Sequence, residues 1–141
     1  MAAQQLVILG GTGFLGQQLV PRLAADGHRI VLLSRARERH RALAVLPGVS
    51  VRNADIYDDA VLRRQLAGAD AAINLVGILN QGGRHSFQRT HVELARRLIA
   101  ACNDSGVRRL HQMSSLKAGQ GPSQYLKTRG EAEALVKAST L

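Results

Sequence analysis

Leu6-Val7-Ile8-Leu9-Gly10-Gly11-Thr12-Gly13-Phe14-Leu15-Gly16 decides how this chain folds. Four apolar residues form a short buried strand, and the segment that follows the glycines, Phe14–Ala25, carries helical periodicity. Glycines at 10, 13 and 16 between a strand and a helix are the dinucleotide-binding fingerprint in the context it requires. Gly10 permits the tight turn, Gly13 lets the backbone approach a pyrophosphate, and Gly16 lets the helix sit close to the sheet. The helix N-terminus adds amide donors and a favourable dipole for that anion. Gly11, Thr12, Phe14 and Leu15 complete the predicted loop.

Outward from this loop the same alternation repeats. Apolar runs at Leu6–Leu9, Ile30–Leu33, Val49–Arg52, Ala71–Val76 and Val107–Met113 predict five strands. Helical periodicity covers Phe14–Ala25, Arg37–Leu46, Asp59–Leu66, Phe87–Asn103 and Ser123–Lys137. Strand and helix in strict alternation predict an α/β Rossmann-type doubly wound parallel sheet with helices on both faces. Pro21 falls inside the first helix, where a bend is expected. Gly77–Thr90 is a long, turn-rich connection holding Gly82-Gly83-Arg84-His85-Ser86. Residues 1–141 read as one domain that stops after the fifth βα unit, lacking a C-terminal strand and a substrate-binding region. An uncovered sheet edge would then favour weak stability or a homo-oligomer.

Composition narrows the function classes. The chain has 141 residues, 45% of them hydrophobic but only 3% aromatic, so the core is built from aliphatic side chains, as in parallel sheets. The formal net charge of +9 suits a phosphate-bearing ligand. Its arginines are scattered near element ends without interleaved aromatics, which argues against nucleic acid. Cys102 is the single cysteine and reads as a buried small hydrophobe rather than a reactive thiol. The five histidines are not spaced with cysteines or acids as metal ligands, so no metal is expected. His85 reads as a solvated loop residue or a substrate contact. No Gly-x-Ser-x-Gly elbow surrounds Ser115, which argues against a hydrolase. With no secretory signal and no apolar run of membrane-spanning length, the expected location is cytoplasmic.

The end of the second strand selects the dinucleotide. A carboxylate there holds the ribose hydroxyls of NAD(H), whereas arginine accommodates the 2′-phosphate of NADP(H). This chain has Ser34-Arg35 at that point, with Arg37, Arg39 and Arg41 behind, so NADP(H) is preferred and NAD(H) is the alternative. A solvated arginine at a helix start is the plainer reading of Arg35.

The glycine spacing, Asp55 after the third strand, Asn74-Leu75-Val76-Gly77 on the fourth, Ser114-Ser115 on the fifth and Tyr125 beyond together resemble the short-chain dehydrogenase/reductase superfamily, in its extended and atypical branches. Ile73-Asn74-Leu75-Val76-Gly77-Ile78-Leu79 and the adjoining Gly-Arg-His loop look most like the nucleotide-binding accessory subunit of respiratory complex I and its bacterial relatives. The resemblance implies an adenine site at Asp55 and Ile56, and a ribose-nicotinamide site along Leu75, Val76 and Gly77. It also implies a catalytic trio of Ser or Thr, Tyr, and a Lys four residues after the Tyr. Here the trio reads Ser115, Tyr125 and Arg129.

Arginine keeps the positive charge that would lower the phenol pKa, but its planar fork does not simply replace an ammonium. Lys127 lies on another side of the helix from Tyr125. Structural roles are also open: Ser123 as N-cap, Tyr125 as packed aromatic, Arg129 as partner of Glu133. The departure favours a protein that binds NADP(H) for a structural or redox-sensing role, linked to complex I or quinone metabolism and peripheral at the inner membrane. The alternative is an active NAD(P)-dependent oxidoreductase or nucleotide-sugar epimerase/dehydratase.

Overall fold

The computed structural model describes residues 2–35 and 40–141. Five strands are present: β1 (Gln5–Leu9), β2 (Arg29–Ser34), β3 (Val49–Asn53), β4 (Ala71–Asn74) and β5 (Leu110–Gln112). They form one parallel sheet in the order β3-β2-β1-β4-β5. Between them lie α1 (Phe14–Ala25), α2 (Arg41–Ala44), α3 (Asp59–Leu66) and α4 (Leu94–Ser105), and α5 (Gln124–Ala138) follows the last strand. The order reverses between β1 and β4, so the glycine loop after β1 and the segment after β4 flank the crevice where ligands bind such sheets.

The two-residue period of the strands separates two cores. Val7, Leu9, Val31 and Leu33 face Leu62 and Leu66 of α3 and Leu94 and Leu98 of α4. Ile8, Ile30 and Leu32 point the other way, onto Val20 of α1 and Leu43 of α2. Central strands buried on both faces explain why β1 and β2 read as unbroken apolar runs. Helix α1 runs uninterrupted through Pro21 to Ala25.

Four elements differ from the sequence reading. β4 ends at Asn74 rather than Val76, because the Asn74 side chain accepts a bond from the Val76 N–H at 3.1 Å and turns the chain out of the sheet. β5 spans three residues rather than seven; α4 ends at a left-handed Gly106, and Val107 still bonds back to the Cys102 carbonyl at 2.9 Å. The predicted helix Phe87–Asn103 opens with a π-helical turn, Gln88–Glu93, before α4 proper. Of the described residues in the predicted helix Arg37–Leu46, Arg41–Ala44 are α-helical; Arg37 and Arg39 lie outside the described residues.

The connection after β4 is closely bonded. Gly82 and His85 exchange backbone hydrogen bonds of 2.9 Å, the Phe87 N–H reaches the Gln81 side chain at 2.9 Å, and the Ser86 hydroxyl accepts from the Arg89 N–H at 3.0 Å. Cys102 is fully buried, and desolvation pushes its thiol up to about 11, as expected of a small hydrophobe. Among the described residues no helix is long and apolar enough to cross a membrane, and no cluster of histidine, cysteine and acidic groups could hold a metal ion.

Candidate dinucleotide site

Gly10 leaves β1 with φ of +74°, and a Cβ there would lie 2.8 Å from the Val76 nitrogen. Both the backbone angle and the space therefore demand glycine. At Gly11 a Cβ would lie 2.7 Å from Leu32 Cδ2, so this glycine lets the loop settle onto the sheet. A Cβ on Gly16 would collide with the Gly11 carbonyl, so Gly16 closes the helix against its own loop rather than against a strand. Gly13 has the most room: a Cβ there would meet only the Gly10 carbonyl, at 3.4 Å. It is also the N-cap of α1 and offers no side chain to the first amides of that helix. These orphan donors and the helix dipole suit a diphosphate.

A cleft of about 480 Å³ opens above the loop. Gly10, Thr12, Gly13, Phe14 and Leu15 line one wall, and Leu75 to Leu79 with Met113 line the other. Arg129 reaches into it from α5. Its guanidinium is buried, fills the space a side chain on Gly77 would need, and donates to the Met113 carbonyl at 3.2 Å and the Val76 carbonyl at 3.5 Å. It thus ties together the chain ends leaving β4 and β5. Glu133 instead accepts from Ser114 at 2.8 Å and Lys137 at 2.6 Å, which hold its carboxyl below the usual range. The Asn74 amide, also buried, donates to the Gln112 side chain at 2.9 Å.

His91 braces the same end of the cleft, a role no spacing in the sequence announces. Its Nε2 accepts from the Ile78 N–H at 3.2 Å, and its Nδ1 lies 2.9 Å from the Thr128 hydroxyl. An Nε2 that accepts leaves the proton on Nδ1, which donates to Thr128; that hydroxyl donates onward to the Gln124 or Tyr125 carbonyl. Burial first, and then the nearby Arg129 charge, push the imidazole down to about 4, so it stays neutral. Phe87 stacks on its ring at 5.6 Å, and Tyr125 packs edge-on against both rings at 5.8 and 5.5 Å. The Tyr125 ring is therefore a packed aromatic, with the Arg129 guanidinium 5.6 Å from its centroid. Ser123 caps α5 through the Leu126 N–H at 3.2 Å, and Lys127 is exposed. Ser115 Oγ is buried without a partner among the described residues. His85 is exposed.

Beyond the cleft lining, the ends of β2 and β3 form a polar, open surface. Arg35, just past β2, pairs with Asp55 at 3.1 Å, and both side chains are more than half exposed. Asp55 also accepts from the Tyr57 N–H at 2.9 Å, which is the main reason its carboxyl lies below the usual range. No acid stands at the end of β2, where the chain reads Ser34-Arg35; the fold brings Asp55 there from the end of β3. Ile56 and Tyr57 are half-buried and pack onto the core, while Asp55 stays exposed.

A glycine loop that excludes Cβ atoms, an uncapped helix N-terminus, a cleft at the switch point and an arginine beyond β2 together fit a dinucleotide. The comparisons agree. The NAD(P)H-binding family matches residues 10–141. A mitochondrial NADH dehydrogenase [ubiquinone] 1 alpha subcomplex subunit 9 of Arabidopsis thaliana is 31% identical over 92% of this chain, which spans 34% of that protein's length. A Bacillus halodurans structure grouped with the NAD-dependent epimerases/dehydratases superposes with a TM-score of 0.85 at 22% identity, covering 99% of this chain and 67% of that one. The NADPH-dependent quinone oxidoreductase QOR2 of Escherichia coli, solved with NADPH, gives a TM-score of 0.73 at 26% identity over 94% of this chain and 44% of its own. This chain belongs to the NAD(P)H-binding family, within the short-chain dehydrogenase/reductase superfamily.

Proposed function

We propose that this protein holds NADP(H) for a structural or redox-sensing role linked to respiratory complex I or to quinone metabolism, at a peripheral position on a membrane. The buried state of Arg129 carries the reading. The cation at the position where the superfamily trio has its lysine is engaged with two backbone carbonyls and sits beside a packed Tyr125 ring. A guanidinium held this way supports the architecture of the cleft more than proton transfer. The named relationship of one relative to NADH dehydrogenase supports the complex I link.

In this reading residues 10–16 hold the diphosphate, Ser34 and Arg35 the 2′-phosphate, Asp55 and Ile56 the adenine, and Leu75, Val76 and Gly77 the nicotinamide ribose. Bound nicotinamide supplies hydride donation or acceptance. Calorimetric titration should show NADPH binding more tightly than NADH, and Arg35→Ala should remove most of that difference, about tenfold to a hundredfold for hydrogen bonds to a charged group. Equal losses for both nucleotides would defeat the NADP(H) assignment.

One observation favours a second reading, an active reductase or epimerase/dehydratase: the buried Ser115 Oγ, at the serine position of the trio, has no partner among the described residues. Tyr125 would then exchange the proton beside Arg129. Turnover of NADPH with a quinone, ketone or nucleotide-sugar panel that disappears in Tyr125→Phe would establish this enzyme. NADPH binding without turnover, equal in wild type and Tyr125→Phe, supports the holding role.

A further inference from the structure

Two guanidinium groups converge on the ring of Tyr57. Arg35, from the end of β2, has its Cζ 5.7 Å from the ring centroid, and Arg89, from the π-helical turn after β4, has its Cζ at 4.1 Å. The second distance is that of a close cation–π contact. Arg89 is half-buried, and the Ser86 hydroxyl fixes the start of its turn through its backbone N–H. Tyr57 is itself held by the Asp55 carboxylate, which takes both its N–H and the Arg35 guanidinium. The field of Arg89 reaches that carboxylate as well. The group thus contains two cations and one anion. Among the described residues Arg35 has its carboxylate and Arg89 makes no ion pair. A phosphate monoester, with between one and two negative charges, would complete the balance.

We infer that Arg89 is a specificity-determining residue for the adenosine end of the cleft, where it and Arg35, both steadied by Tyr57, clamp the ribose 2′-phosphate of the dinucleotide. The inference rests on the NADP(H) reading above and deepens it. Neighbouring residues in the chain do not suggest the pair, since 54 positions separate Arg35 from Arg89. The clamp arises because the parallel sheet places the ends of β2, β3 and β4 along one edge. A planar guanidinium can lie over the tyrosine ring while its N–H groups remain directed at phosphate oxygens, a combination an ammonium does not reproduce.

The test uses the whole chain with two probes that differ by one phosphate, 2′,5′-ADP and 5′-AMP, measured by calorimetry. Wild type should favour 2′,5′-ADP. Arg89→Gln should weaken 2′,5′-ADP about tenfold and change 5′-AMP by less than about twofold, the loss expected for one charge-assisted contact. Arg89→Lys should fall between, because it keeps the charge and loses the planar stack. Tyr57→Leu should lower the preference for 2′,5′-ADP as well. If Arg89→Gln weakens both probes equally, or neither, the clamp is wrong. Should Arg89→Gln unfold in a thermal melt, Arg89→Lys carries the test, and wild-type selectivity in that variant overturns the inference. Wild type binding both probes equally would remove the NADP(H) reading together with the clamp. A wild-type preference that Arg35→Ala abolishes and Arg89→Gln leaves intact would remove the clamp alone.

Discussion

The two ends of the proposed dinucleotide site are built by opposite means. At the end proposed for the nicotinamide, Asn74, His91, Thr128 and Arg129 are buried polar groups bonded mostly to backbone, and Asn74, His91 and Arg129 each brace a segment that leaves the sheet. At the end proposed for the adenosine, Arg35 and Asp55 meet in the open, where an ion pair contributes at most about 1 kcal/mol. Hydrogen bonds in a buried, low-dielectric setting are costly to rearrange, whereas exposed charges exchange partners readily. The first end sets the shape of the cleft, and in the proposed reading the second tunes which ligand fills it.

The largest effect should come where the two ends meet. Gly10→Ala would add strain at φ of +74° and a contact at 2.8 Å with the Val76 nitrogen. Dinucleotide affinity measured by calorimetry should fall by roughly a hundredfold, in line with about 3 kcal/mol of left-handed strain and lost fit.

His91 offers a comparable effect on stability and probes the buried end alone. Its folded pKa of about 4 lies below the ordinary 6.5, so the unfolded chain binds the extra proton first. The stability it contributes is full above pH 6.5 and is lost as pH falls towards 4, by roughly 3 kcal/mol. Urea unfolding across that range should show the loss in wild type. A flat profile in His91→Leu would assign it to this residue, and an unchanged slope would refute the bracing role.

Arg129→Met keeps volume and removes the donors to Met113 and Val76. A stability decrease of about 2 kcal/mol is expected from two carbonyls left without that partner, read from denaturant midpoints. A variant as stable as wild type would show that the guanidinium does not support the cleft. Smallest of all, Asp55→Asn should cost less than about 1 kcal/mol, a difference that 0.5 M salt erases, because the pair is exposed and screened. A larger, salt-insensitive loss would mean that both ends are equally rigid.

The contrast also explains what could be read from the linear chain. β1, β2 and β3 and the glycine loop were legible within a residue or two because burial on both faces and backbone geometry impose local patterns. β4 and β5 were overestimated because apolar residues continue past the point where the Asn74 side chain turns the chain away. Arg129 was legible as a departure from the trio but not as a brace, since its acceptors lie 16 and 53 positions away. His91 and Thr128 pair across 37 positions, and the Arg35–Asp55 pair crosses 20; neither separation carries a periodic signal. Polar contacts made by topology have no local signature, unlike the repeats that made the topology predictable.

The π-helical turn at Gln88–Glu93 can be regarded as a phase shifter. Its wider winding offsets every side chain before it from the α-helical rhythm of Leu94, Ala95 and Leu98, which stay locked into the core. One residue of an α-helix corresponds to about 100° of rotation. Arg89 and His91, two positions apart, point to opposite sides of this turn, and the offset sets where each lies relative to the helix that follows. Deleting one residue there would restore regular winding and set both side chains out of alignment at once, coupling ligand choice and cleft shape through one local change of pitch.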